Sequence, residues 1–156
     1  MPAFFIQKDF KMERFNKVIS SLEILKDLPP LFFRIILAYG FYGPATMKLK
    51  NFGGIVEWFT SMGLPLPKLN AFLATGTETA GFVLIFLGLA TRIISIPLMV
   101  VMIVAIATVH LGNGFEAGNN GFEIPVYYML MLFSLLITGP GKYSLDALIT
   151  KFYNKK

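Results

Sequence analysis

The chain has 156 residues, of which 55% are hydrophobic and only 15% charged, with a net charge of +5 and no cysteine. Soluble domains carry about 25% charged residues, so this composition excludes an ordinary cytosolic enzyme, and without thiols there are no disulfides, thiolate metal sites or CxxC redox chemistry. The basic residues sit at the ends of apolar segments rather than in one patch, which points to a membrane and away from nucleic acid.

In chain order, Phe15, Val18, Ile19, Leu22 and Leu25 recur at helical spacing and predict an amphipathic arm over residues 1–30, ended by Pro29-Pro30. Four apolar stretches follow, at about 31–49, 69–90, 91–111 and 124–139. A crossing takes roughly 20 residues, so each suits a transmembrane helix, the fourth being short. Between the first two, Phe52, Ile55, Val56 and Phe59 form one face of a short interfacial helix beside Trp58. After Gly139-Pro140-Gly141, Ser144 is a good N-cap for a closing amphipathic helix carrying Leu145, Leu148, Ile149 and Phe152. The expectation is all-α: a polytopic membrane four-helix bundle at 31–139 with interfacial amphipathic helices, flanked by the arm (1–30) and a C-terminal helix (140–156).

Four spans put both termini and the turn at Arg92 on one side, with eleven of the fourteen cations; Lys48, Lys50 and Lys68 lie on the other. The positive-inside rule then places both termini in the cytoplasm.

The informative residues are the polar ones inside apolar segments, because a charge at the bilayer centre costs about 2.5–3.5 kcal/mol on insertion scales. Glu78 lies about 14 Å into the second span, within a 4-3-4-3 stripe of Ala74, Glu78, Gly81, Ile85 and Gly88. Small residues at that spacing let a neighbouring helix approach, so the stripe faces the bundle. In the first span Arg34, Ala38, Phe41, Ala45 and Lys48 follow the same rule. Pro44 is expected to break this helix midway, freeing the Gly40 carbonyl. Arg92 and His110 are 18 residues apart, five α-helical turns, and share a nominal face. The fourth span offers Tyr127, Met131, Ser134 and Thr138, with Glu123 at its start and Tyr127 and Tyr128 suited to an aromatic belt. Together these place Lys48, His110, Glu123 and Tyr127 near the outer surface above Glu78. Bland alternatives stand beside each: a paired structural glutamate, basic anchors at Arg34 and Arg92, a capping histidine. One histidine with scattered acids makes no metal site.

The order and spacing of several marks carry a resemblance. Arg34, Gly43 and Lys48 are followed by SMGLPLP at 61–67, Glu78 with Ala80-Gly81, LGLATR at 87–92, His110, NNGFEIP at 119–125 and GPGKYSLDALI at 139–149. Over residues 31–150 the sequence resembles the DoxX-like family of four-span bacterial inner-membrane proteins. The resemblance implies a compact bundle and a link to quinone-coupled thiosulfate oxidation or to oxidative-stress and metal-responsive complexes. It carries over Arg34, Lys48, Glu78, Arg92 and His110 as candidate functional positions.

Three functions remain open. The first is a quinone-interacting redox subunit, in which Lys48, Glu78, His110 and Tyr127 bind the ligand and Glu78 and His110 relay protons. The chain has no haem, flavin or iron–sulfur motif, so the quinone is exogenous and electrons need a soluble or membrane redox partner. The second is a non-catalytic scaffold using the arms at 15–25 and 145–152. The third is a small transporter of a proton, metal or sulfur anion, which predicts a homo-oligomer.

Overall fold

Prolines set where the first long helix begins. In the computed structural model, which describes residue 17 and residues 19–154, α1 (Leu28–Lys50) carries Pro29 and Pro30 in its first turn, where a missing N–H breaks no bond. The expected arm positions Phe15 and Val18 lie outside the described residues; residues 19–23 are helical, with Ile19, Leu22 and Leu25 exposed. Contrary to expectation, α1 runs unbroken through Pro44. Proline removes one backbone bond, and packing against neighbouring helices holds the rest of the ladder in register.

Helix α2 (Phe52–Ser61) starts where the Asn51 side chain accepts from Gly54 N at 3.2 Å. Its apolar face packs onto the bundle, with Ile55 and Phe59 buried against Ala71 of α3 (Pro67–Leu87). Gly88, at φ 66°, closes α3 in the left-handed conformation that glycine adopts without steric cost. Helix α4 (Thr91–Ala105) passes into a π-helical turn (Ile106–His110) and a short 3-10 turn (Leu111–Asn113). Helix α5 (Glu123–Thr138) and α6 (Leu145–Tyr153) follow, with Ser144 Oγ accepting from Ala147 N at 3.2 Å as the N-cap.

Helices α1, α3, α4 and α5 form an antiparallel bundle in which α1 packs on α3 and α4 on both α3 and α5. Among the described residues there is no strand. The core nearest the termini consists of Leu37, Phe41, Ile85, Leu98, Leu132 and Leu135, all at most 2% exposed. The outside is apolar too: Phe32, Ile36, Tyr39, Phe72, Phe86, Ile93, Val100, Leu130 and Phe133 stand exposed around the bundle. Water does not tolerate that much contiguous apolar surface; lipid does. Residues Pro67–Leu87 and Thr91–Asn113 are long and apolar enough to cross a membrane, and Glu123–Thr138 is a shorter apolar helix. This is a membrane four-helix bundle.

The terminal end of the bundle is fastened by charged groups on backbone. Arg34, 3% exposed, donates through Nε to Ile85 O (2.9 Å), through Nη2 to Phe86 O (2.6 Å), and through Nη1 to Tyr143 O (2.7 Å) and Pro140 O (3.2 Å). It thereby satisfies the last carbonyls of α3, which have no partner within the helix. The Asp146 carboxylate accepts from Ala90 N (2.9 Å) and Thr91 N (3.2 Å) at the start of α4, where the helix dipole favours an anion. Asp27 accepts from Lys142 N at 3.0 Å. These contacts strap α6 to the bundle.

Candidate functional site

Every member of the predicted α1 stripe, Arg34, Ala38, Phe41, Ala45 and Lys48, is buried against neighbours. At its far end Lys48 Nζ donates to Glu78 Oε2 at 2.5 Å, and both side chains are nearly sealed from solvent, Lys48 at 8% and Glu78 at 4%. The two charges sit in low dielectric, where an unpaired ion is costly and a paired one is held firmly. The pair lines an open cavity of about 1150 Å³ in the half of the bundle away from the termini. Its walls come from α1, α2, α3, α4, the 117–121 loop and the start of α5, and most of the lining is apolar, including Phe41, Trp58, Phe59 and Val101. Tyr128 packs on Phe41 with ring centroids 5.6 Å apart and occupies the space a side chain on Gly40 would fill.

His110 lines the same cavity, and the π turn explains how. The buried positions of α4 run Thr91, Ser95, Leu98, Met102. Continued at 3.6 residues per turn, that stripe reaches Val109; the wider π turn takes up an extra residue, and Val109 and His110, both half-buried, line the cavity together. His110 Nδ1 lies 2.8 Å from the Asn120 carbonyl, which also accepts from Asn113 Nδ2 at 3.2 Å.

The DoxX family model matches residues 30–111, from the first turn of α1 through His110. The chain belongs to the DoxX family. It is 34% identical over 127 residues to "Putative oxidoreductase CatD" of Bacillus subtilis (strain 168), covering 80% of this chain and 90% of that protein. It is 34% identical over 121 residues to "Inner membrane protein YphA" of Escherichia coli (strain K12), covering 72% of this chain and 80% of that one. A Haemophilus influenzae protein of undescribed function is 29% identical over 157 residues, covering 96% of this chain and 95% of that protein. No solved structure matches.

Of the candidate positions that the resemblance carries over, Lys48, Glu78 and His110 line one cavity. Arg34 and Arg92 stand apart from it. Arg34 caps α3, and Arg92 Nη2 donates to Ile137 O at 3.1 Å near the end of α5. Tyr127 and Glu123 are not part of the cavity lining. The Tyr127 hydroxyl donates to Glu123 Oε1 at 2.9 Å, while Glu123 Oε2 accepts from Ala117 N at 2.9 Å, so this pair clamps the 114–122 loop. The inward stripe of α5 is Tyr128, Leu132, Leu135 and Gly139 rather than Tyr127, Met131, Ser134 and Thr138. The lining tyrosine is thus one residue on from the expected one.

Two lining groups escaped sequence reasoning. Asn120 sits in a loop at φ 58°, a left-handed conformation that asparagine tolerates, and the signal for it was the Asn-Asn-Gly run. Trp58 lies beside the apolar face of α2 and turns toward the cavity. A second, wholly uncharged groove of about 660 Å³ runs along α3 past Phe72, Thr75, Gly76 and Thr79. Among the described residues no three metal-ligating side chains come together.

Proposed function

We propose that this DoxX-family chain is a quinone-interacting subunit of an inner-membrane redox system, with its cavity open to the outer side. One observation carries the reading: the Lys48–Glu78 ion pair and His110 share an apolar cavity wide enough for a substituted aromatic ring. Ligand sites are mostly apolar with a few convergent polar groups, as here. The names of the Bacillus subtilis and Escherichia coli relatives accord with an oxidoreductase and an inner-membrane location. The sequence count of eleven cations on the side of the termini against three on the other supports cytoplasmic termini.

A bound quinone supplies two-electron, two-proton chemistry, its electrons being exchanged with a partner redox subunit. The chain's own residues bind and handle protons. Lys48 has two ammonium protons left to donate to a ligand oxygen, and Glu78 fixes where that ammonium points. Glu78 and His110 are the groups able to take up or release a proton along the cavity wall. The apolar lining excludes water from the ring. Continuous passage through the bundle finds no support below Glu78, where Leu37, Ile85, Leu98, Leu132 and Leu135 close the core. A scaffold role draws on a different observation, the exposed Leu148, Ile149, Phe152 and Tyr153 of α6.

The test is quinone content, by extraction and mass spectrometry, of protein purified in native lipid discs. Wild type is expected to retain near-stoichiometric quinone, and a Lys48→Met/Glu78→Gln double variant that remains folded is expected to lose it. Quinone no richer than in the surrounding lipid in wild type would refute the reading.

A further inference from the structure

The hydrogen-bonding inventory of the cavity is unequal, and the inequality bears on which redox form of the ligand fits. A carbonyl oxygen only accepts, so the 2.8 Å contact between His110 Nδ1 and Asn120 O requires the proton on Nδ1. Asn113 donates to the same oxygen at 3.2 Å, so both lone pairs of that carbonyl are engaged and its position is set from two directions. In the neutral imidazole this leaves Nε2, on the opposite edge of the ring, as a bare acceptor; no hydrogen bond from a described residue reaches it. The backbone therefore fixes the tautomer, as second-layer contacts to histidine commonly do.

The other cavity groups divide as follows. Lys48 offers only donors, one of them committed to Glu78. The Tyr128 hydroxyl can do either. Glu78 and His110 Nε2 are acceptors. A quinone brings two carbonyl oxygens and no donor. It can satisfy Lys48, but against His110 it sets acceptor to acceptor. A quinol brings two hydroxyl groups, each able to donate and accept, and so satisfies Lys48 and His110 together.

We infer that the cavity holds the reduced, dihydroxy-aromatic form of its ligand more tightly than the oxidised diketone, with His110 Nε2 as the deciding acceptor. The inference rests on the quinone reading above and specifies it. A quinone facing His110 forgoes one hydrogen bond and leaves a partly buried group unpaired, which corresponds to about a tenfold difference in affinity. For a two-electron couple, tenfold tighter binding of the reduced form raises the midpoint potential of the bound couple by about 30 mV.

The experiment is anaerobic calorimetric titration of the full chain in lipid discs with a short-chain benzoquinone and, separately, its quinol, with empty discs subtracted. Emission from Trp58, the only tryptophan and a cavity residue, is the second readout. The expected result is a quinol Kd about tenfold below that of the quinone, falling to a ratio near one in His110→Gln, whose amide can both donate and accept. Circular dichroism checks that the variant keeps its helix content, and the wild-type ratio stands as a test without any substitution. Equal affinities, or tighter quinone binding, would overturn the inference while leaving the quinone reading intact, and so would a ratio unchanged in the variant. Saturable binding of neither form would overturn the quinone reading itself, and this inference with it.

Discussion

Neutralising one member of the Lys48–Glu78 pair should destabilise the bundle far more than neutralising both. At the observed 2.5 Å, two unit charges attract by about 7 kcal/mol at an effective dielectric constant near 20. Desolvating each ion costs several kcal/mol, so the net contribution of the intact pair is small. The asymmetry appears when one partner goes. Glu78→Gln leaves the Lys48 ammonium, 8% exposed, without its counter-charge, and Lys48→Met does the same to the Glu78 carboxylate at 4%. Each single variant is expected to lose about 3–5 kcal/mol, and the double variant to lie within about 1 kcal/mol of wild type. At roughly 2–4 °C per kcal/mol for a chain of this length, each single lowers Tm by about 10 °C. Thermal unfolding of all four proteins in the same lipid discs closes the double-mutant cycle. Singles indistinguishable from wild type, or a double equal to the sum of the singles, would show that the two charges are not coupled and refute this reasoning.

Other consequences are equally specific. Arg34→Lys should cost about 2–4 kcal/mol, because one ammonium cannot reach four carbonyls on two segments; unfolding of the purified variant measures it. Asp146→Asn should weaken the cap on α4 by about 1 kcal/mol, read as faster hydrogen exchange at Ala90 and Thr91 with the cavity unaffected. Gly40→Ala places a methyl group where the Tyr128 ring now sits, so that ring must move and quinone retention should fall while helix content stays unchanged.

How far the sequence could be read depended on whether a helix carried polar residues to mark its inner face. In α1 Arg34 and Lys48 did so, and the expected stripe is the buried one. In α3 Glu78, Gly81, Ile85 and Gly88 are buried as expected, although Ala74 is only half-buried and Ala71 and Thr75 take the inner positions. Helix α5 is apolar on nearly every side, so a 4-3-4 pattern can be drawn through it in several registers. The hydroxyls of Tyr127, Ser134 and Thr138 pointed to the wrong one: Tyr127 bonds to Glu123, and Thr138 back-bonds to Ser134 O at 2.8 Å. Uniform α-helical turns put His110 on the Arg92 face. A π turn changes the phase, and it arises from backbone bonding that residue types do not announce. Pro44 read as a break because its local effect is destabilising, whereas the surrounding packing that carries α1 past it is tertiary.

The most direct test of the quinone cavity is photolabelling with an azido-quinone in native lipid discs, followed by peptide mapping. Label is expected on α2 around Trp58 and on the 106–121 segment, and excess unmodified quinol should suppress it. Label confined to lipid-facing residues such as Ile93 and Phe133, or unaffected by competitor, would contradict it.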